Sequence, residues 1–177
     1  ALMNSQGRLY AWDVSEKRLT NLKPRLKRSG LSNVQPQLIA HENDQKVKRL
    51  AGKIDRVLVD APCSGLGTLR RNPDLKFRQS PQSVAELNAK QRAILGSAAR
   101  LLKKGGRLVY ATCSLLQEEN QHVVTAFLAA HPGFTLIPAG EVLKQQHIAL
   151  PMGDYLQLTP QQHDTDGFFA AVLERAA

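Results

Sequence analysis

Ile54-Asp55-Arg56-Val57-Leu58-Val59 runs straight into Asp60-Ala61-Pro62-Cys63-Ser64-Gly65, and the reading of this stretch decides the fold. The first six residues are rich in β-branched and apolar side chains, as in a strand buried on both faces of a parallel sheet. Pro62, Ser64 and Gly65 then turn the chain. The same order recurs at Arg107–Tyr110, followed by Ala111-Thr112-Cys113-Ser114. The two cysteines of the chain therefore both fall just past the carboxyl end of a strand. In an open α/β sheet that edge is where ligands bind. Two thiols there, one with Asp60 three residues before it, point to covalent chemistry more than to packing.

Outward from these two runs, strands and helices alternate. Arg8–Trp12 reads as a strand ending at Asp13. Ser15 follows as the N-cap of a helix through Ser29, with Leu19, Leu22 and Leu26 at helical spacing and Gly30 as its stop. Val34–Ala40 reads as a strand interrupted by Pro36, and His41–Gly52 as a polar, basic stretch with a short helix. Ala61–Pro81 is a long loop rich in Gly, Pro and Arg, of a length that usually marks a functional or disordered segment. Ser83–Lys103 carries an apolar helical stripe, and Gly105 closes it in the manner of a left-handed C-cap. Arg107–Thr112 is the next strand. Ser114-Leu115-Leu116-Gln117 fits a capping box opening a helix to Ala130, which His131-Pro132-Gly133 stops. Phe134–Ile137 and Phe168–Glu174 suit a terminal antiparallel pair, with a poorly patterned region between them. The alternation predicts one α/β domain over residues 1–177 with a mainly parallel sheet. Its functional edge carries Asp13, Asp60, Cys63 and Cys113. Ala1-Leu2-Met3-Asn4 reads as the tail of a helix ending in the turn Ser5-Gln6-Gly7, and so as part of a longer protein.

Composition narrows the class. The 177 residues are 42% hydrophobic, enough for a real core, and no apolar run is long enough to span a bilayer. Two cysteines do not make a disulfide framework, so a reducing cytoplasmic setting is expected. The net charge of +9 favours a polyanionic partner, of which nucleic acid is the commonest; a merely basic soluble protein is the alternative.

Asp13, ending a strand before a helix, is placed to accept hydrogen bonds from a ribose diol. An ordinary turn aspartate reads equally well there. No glycine-rich phosphate loop appears, and Gly65-Leu66-Gly67 is too short to serve as one. A ribose-binding acid without a phosphate loop suits an adenosine cofactor lacking phosphates, such as S-adenosyl-L-methionine. Cys113, just before the expected N-cap Ser114, would have its thiolate stabilised by helix amides, the setting for a nucleophile; the alternative is a small buried hydrophobe. Cys63 lies in a turn that packing explains less easily. The cysteine spacing is no zinc signature, so no metal is expected, and a redox pair would lack its usual motif. Arg70, Arg71, Lys76 and Arg78 cluster around Phe77, suiting phosphate contacts and base stacking, or else a solvated basic loop. Lys23, Arg25, Lys27 and Arg28 read as a solvated helix face.

Asp-Ala-Pro-Cys-Ser-Gly at 60–65, Arg70-Arg71-Asn72-Pro73-Asp74, Ala-Thr-Cys-Ser at 111–114, Glu118-Glu119-Asn120 and the terminal Asp166-Gly167-Phe168-Phe169 together resemble the RNA cytosine-5 methyltransferases of the Sun/Nol1/Nop2 family, from about Gly7 to Arg175. The bacterial branch that methylates small-subunit ribosomal RNA is the most similar. The resemblance implies a Rossmann-like methyltransferase fold with an antiparallel last strand, and S-adenosylmethionine as methyl donor. It implies Cys113 as the nucleophile on C6 of cytosine and Cys63 as an aid to product release. Asp60 would sit between cofactor and base, Asp13 on the cofactor ribose, and Glu42 toward the adenine, although His41-Glu42-Asn43-Asp44 departs from the family pattern. The family's glycine-rich cofactor loop and first strand have no counterpart in these residues. Two other readings stand beside this one: an RNA-binding remnant unable to bind cofactor, and a DNA cytosine methyltransferase, whose nucleophile would instead be the cysteine of the Pro-Cys motif.

Overall fold

The computed structural model describes Met3 and residues 6–177, so the expected helix tail over Ala1–Asn4 lies, apart from Met3, outside the described residues. The chain divides into two compact units, Ala1–Arg49 and Leu50–Ala177.

In the first unit, strand β1 (Leu9–Asp13) pairs in parallel with β2 (Val34–Leu38) through helix α1 (Glu16–Ser29). The caps are as the sequence predicts: Ser15 Oγ accepts the Arg18 N–H, and Gly30 is left-handed at φ 65°. Pro36 lies inside β2, opposite Ala11. It is tolerated because, among the described residues, β2 has no strand on its other side. The short helix α2 (Gln45–Lys48) is capped by Asp44, whose carboxylate is held below the ordinary range by the Ala40 and Lys46 backbone N–H groups.

The second unit is a five-stranded sheet in the order β3-β4-β7-β5, with β6 also on β7. Strand β3 (Ile54–Asp60) runs parallel to β4 (Leu102–Thr112). All three antiparallel pairings are made by β7 (Phe168–Arg175), with β4, with β5 (Phe134–Ile137) and with β6 (Leu156–Leu158). Alternation decides the core. Leu108, Tyr110 and Thr112 of β4 stand opposite Leu173, Ala171 and Phe169 of β7, and all six are buried. Leu95, Ala98 and Ala99 of helix α4 (Pro81–Ala99) and Val123, Val124 and Phe127 of helix α5 (Gln121–Ala130) belong to the same core. Each fully buried Leu or Phe contributes about 1.5–3 kcal/mol.

The structure corrects several expected boundaries. Helix α4 begins at Pro81 behind the capping box of Ser80 and Ser83, and it ends four residues before Lys103. The Arg100 carbonyl accepts from Gly52 N–H, and that of Leu101 from Lys53 and Ile54 N–H. Strand pairing thus takes the chain out of the helix. Gly105, at φ 68°, is no helix cap; it lies where the register jumps from Ile54↔Leu102 to Arg56↔Arg107. The loop Ala61–Pro81 contains a 3-10 turn (Leu66–Thr68) and helix α3 (Leu75–Arg78). The unpatterned region before β7 holds helices α6 (Ala139–Gln145) and α7 (Pro160–His163) besides β6. The helix expected from Ser114 starts only at Gln121.

Candidate active site

Because β3 and β4 are parallel neighbours with Asp60 opposite Ala111, both chains leave the sheet at the same level. Ala61 N–H donates to the Ala111 carbonyl at 2.9 Å and extends the ladder by one residue. The two turns then bring Cys63 Sγ and Cys113 Sγ to 3.4 Å. Farther out, Gly67 N–H donates to the Cys113 carbonyl at 2.9 Å, and Gly167 N–H to the Gly67 carbonyl at 2.7 Å. Three backbones stack here because two of them lack side chains. A Cβ on Gly67 would lie 2.6 Å from Cys113 O and closer still to Gly167 O. Gly67 of the sequence Gly65-Leu66-Gly67 is therefore a close-approach residue.

The thiol pair is electrostatically uneven. A hydrogen bond from the Cys63 thiol is the largest influence on Cys113 and lowers its pKa to about 7. Backbone hydrogen bonding at Cys113 helps, while burial and the charges of Asp60 and Glu119 oppose. Cys63 is pushed well above the ordinary thiol range, first by the same hydrogen bond and then by burial. The pair ionises at Cys113, with Cys63 a neutral donor to it. The sequence expectation placed the cause in helix amides, and the structure replaces that cause. Ser114 Oγ accepts from Leu116 N–H at 3.0 Å, Leu116 is extended at φ −76°, ψ 129°, and a 3-10 turn (Gln117–Glu119) intervenes before α5.

Around the thiols lies a buried polar network. Glu119, fully buried, accepts from Ser64 N–H at 2.8 Å, Ser64 Oγ–H at 2.5 Å and Gln91 Nε2–H at 3.0 Å. Gln91, also fully buried, donates to the Pro62 carbonyl at 2.9 Å. Asn120 accepts from Thr112 Oγ1–H at 2.5 Å and donates to the Ser114 carbonyl at 2.9 Å. Ser64 Oγ and Ser114 Oγ lie 3.2 Å apart. Tyr110 Oη donates to the Glu119 carbonyl at 2.7 Å, and burial raises its pKa. The sequence assigns none of these network residues a part in the site, and gives Ser114 only the role of a helix cap. Glu119 and Asn120 entered it only as part of the family pattern. The available signal was a polar pair just ahead of the apolar run Val123–Leu128.

The remaining predicted residues divide by unit. In the first, Asp13 ends β1, where its Oδ1 accepts Ser15 N–H at 2.8 Å and its Oδ2 faces Arg18 at 3.5 Å. The turn role of Asp13 is thus present. Glu42, just after β2, accepts from Asn43 Nδ2–H at 3.0 Å. In the second unit, Asp60 is exposed at the end of β3. Three of the four loop cations face acids: Arg70 with Asp164 (3.1 Å), Arg71 with Asp166 (3.1 Å) and Arg78 with Asp74 (2.5 Å). Lys76 Nζ sits 4.8 Å from the Phe77 ring centre, and Phe77 is 81% exposed. Leu66 and Leu116, each three residues past a cysteine, line an open groove of about 890 Å³ with Lys76, Val84 and Arg92. Among the described residues, no His/Cys/Asp/Glu cluster suits a metal ion, and no helix is long and apolar enough to cross a membrane.

Comparison with known proteins gives this arrangement its context. The chain is 39% identical over 178 aligned residues to a probable ribosomal RNA small subunit methyltransferase B of Synechocystis, covering 99% of the chain and 39% of that protein. It is 36% identical to the ribosomal RNA small subunit methyltransferase F of Serratia proteamaculans, covering 99% of the chain and 36% of the relative. The chain thus spans well under half the length of these relatives. Among solved structures, NSun6 from Pyrococcus horikoshii with SFG superposes with a TM-score of 0.79 at 31% identity, over 99% of this chain and 43% of that one. The family model described as 16S rRNA methyltransferase RsmB/F matches residues 1–174, nearly the whole chain. This chain, with its paired thiols at the ends of two parallel strands, belongs to the RsmB/F family of 16S rRNA methyltransferases.

Proposed function

We propose that this chain carries the reacting groups of an S-adenosylmethionine-dependent methyltransferase acting on C5 of a cytosine in small-subunit ribosomal RNA. The observation that carries the proposal is the thiol pair at 3.4 Å, in which Cys113 ionises near neutral pH and Cys63 keeps its proton. Cys113 adds as a thiolate to C6 of cytosine, and the electron pair displaced from the C5–C6 double bond makes C5 nucleophilic. When bound, S-adenosylmethionine supplies the methyl group to C5. A base takes the C5 proton, the double bond re-forms, and the Cys113 thiolate leaves. A hydrogen bond from the Cys63 thiol stabilises that departing thiolate, which gives Cys63 its place in product release.

The first unit offers groups that suit the adenosine part of such a cofactor. Asp13 and Glu42 follow the carboxyl ends of two paired parallel strands and offer carboxylate oxygens to ribose hydroxyls and to the adenine amine. Asp60, in the second unit, is exposed at the carboxyl end of β3, three residues before Cys63. Arg70, Arg71, Lys76 and Arg78 hold RNA phosphates, and exposed Phe77 offers a stacking face. The pairing of three of these cations with carboxylates is no obstacle, because exposed ion pairs are worth only about 0–1 kcal/mol and exchange readily for phosphate.

The test is adduct trapping with RNA carrying 5-fluorocytosine, in which the C5 substituent cannot leave as a proton. With S-adenosylmethionine present to methylate C5, the protein should form a denaturation-resistant RNA adduct, Cys113→Ala should form none, and Cys63→Ala should still form it. An adduct lost in Cys63→Ala but kept in Cys113→Ala would reverse the roles and favour the chemistry of DNA cytosine methyltransferases.

A further inference from the structure

Glu119 and Asn120 are consecutive, buried and polar, and each reaches a different thiol-bearing turn. The carboxylate of Glu119 takes the backbone N–H of Ser64, the residue after Cys63, at 2.8 Å. Gln91, hydrogen-bonded to the same carboxylate, takes the carbonyl of Pro62, the residue before Cys63, at 2.9 Å. The backbone is therefore held on both sides of Cys63. Asn120 does the equivalent for Cys113. It accepts from Thr112 Oγ1–H, before the cysteine, and donates to the Ser114 carbonyl, after it.

The two holds are linked, and the proton directions are fixed. Glu119 Oε2 can only accept from Ser64 Oγ–H, at 2.5 Å. Ser64 Oγ must then accept from Ser114 Oγ–H, at 3.2 Å, and Ser114 Oγ accepts Leu116 N–H at 3.0 Å. One directed chain runs from the Cys113 turn through the Cys63 turn and ends on the carboxylate. The carboxylate receives three donors, which is what a buried charge requires.

We infer that Glu119 and Asn120 are positioning residues: Glu119, with Gln91, sets the place of the Cys63 thiol, Asn120 sets that of Cys113, and together they hold the two sulfurs in hydrogen-bonding contact. This deepens the proposed function and rests on its assignment of the thiols as the reacting groups. Its test, however, needs neither RNA nor turnover.

The readout is the first thiol ionisation of the folded protein, followed by thiolate ultraviolet absorbance against pH, with far-UV circular dichroism as the check on folding. Cys63→Ala removes the hydrogen bond that lowers Cys113 and sets the limit of the effect. Its ionisation should move from about 7 toward the ordinary thiol range of ~8.5, an approximately 15-fold fall in thiolate at neutral pH. Glu119→Ala should move it in the same direction by at least half as much. Charge alone predicts the opposite sign, because the Glu119 carboxylate opposes ionisation of Cys113 and its removal would lower the midpoint. Glu119→Gln keeps acceptor and shape without charge, so it should restore the midpoint to the parent value or below. Asn120→Ala should also raise it. A folded Glu119→Ala or Asn120→Ala whose first ionisation is unchanged or lower would overturn the inference. Should both variants fail to fold, Gln91→Ala and Ser64→Ala decide in the same way: a raised midpoint in either supports the positioning role, and none in both rejects it. Adduct trapping that fails in the parent while these shifts appear would discard the assigned reaction and leave the positioning intact.

Discussion

Gly67→Ala should loosen the Cys113 turn by a calculable amount. The new Cβ would lie 2.6 Å from the Cys113 carbonyl oxygen, against 3.4 Å for the near edge of ordinary contact, an overlap of about 0.8 Å by difference. The Gly167 carbonyl oxygen is closer still. Neither neighbour is a flexible side chain, and both carbonyls belong to backbones that hydrogen-bond Gly67, at 2.9 Å and 2.7 Å. Overpacking of this kind costs about 1–3 kcal/mol. Lengthening or breaking the two backbone bonds costs about 0.5–1.5 kcal/mol each. The sum is about 2–6 kcal/mol, a large share of the ~5–15 kcal/mol that holds a typical domain. Urea denaturation followed by circular dichroism should show the midpoint falling by about 0.7 M or more, taking a slope of ~1–3 kcal/mol per molar. Gly96→Ala is the matched control. Gly96 lies within α4 with nothing within 4 Å of its Cβ, so alanine there should stabilise by about 0.5–1 kcal/mol. A Gly67→Ala midpoint equal to the parent's would refute the close-approach argument, whatever Gly96→Ala does.

Tyr110→Phe should cost about 1–2 kcal/mol in the same denaturation measurement, because it leaves the buried Glu119 carbonyl without its donor; a neutral result would mean that the carbonyl finds another partner. Formation of the 5-fluorocytosine adduct should be half-maximal near pH 7. The reactive thiolate is present above that value and lost as pH falls through it, and a midpoint near ~8.5 would mean that Cys113 is an ordinary thiol. RNA affinity should fall linearly with salt on logarithmic axes, with a slope of about 0.7 per single-strand phosphate neutralised. Arg70→Gln with Arg71→Gln should flatten it. Asp164→Asn with Asp166→Asn should do the reverse and tighten binding, since each acid competes with phosphate for one of those arginines. Equal affinity in all of these proteins would remove the loop from the RNA surface.

Much of the fold was legible because its signals are local. The β-branched run at 54–59 and the apolar spacing of α1 each lie within one element, as do the Ser15 cap and the Gly30 stop, and the structure keeps them as a strand and a capped helix. The expected burial of the strand on both faces is not kept, because β3 ends its sheet and Leu58 is 70% exposed. The departures come where distant chain decides. Leu101 and Leu102 continue a helical stripe in sequence, but the N–H groups of Lys53 and Ile54 claim the Leu101 carbonyl and draw Leu102 into β4. Ser114 has the spacing of a helix cap, yet its hydroxyl and carbonyl are engaged by Ser64, Leu116 and Asn120, so the helix waits until Gln121. Strand β6 and helices α6 and α7 carry no clear period. The β6 segment is extended because β7 offers it partners.

The candidate site follows the same division, with a consequence for its chemistry. That both cysteines end parallel strands is a local fact, repeated twice along the chain. That their sulfurs meet is not, since the contact joins residues fifty positions apart and depends on Glu119 and Gln91 gripping the turn around Cys63 from a third and a fourth place in the sequence. A thiol lowered by a helix N-terminus would keep that property with its partner thiol deleted. A thiol lowered by its neighbour would not, and here the neighbour is the largest cause. The two cysteines therefore form one acid, whose first proton leaves from Cys113 and whose second is retained on Cys63. Residues that hold the turns in register control how readily that first proton leaves.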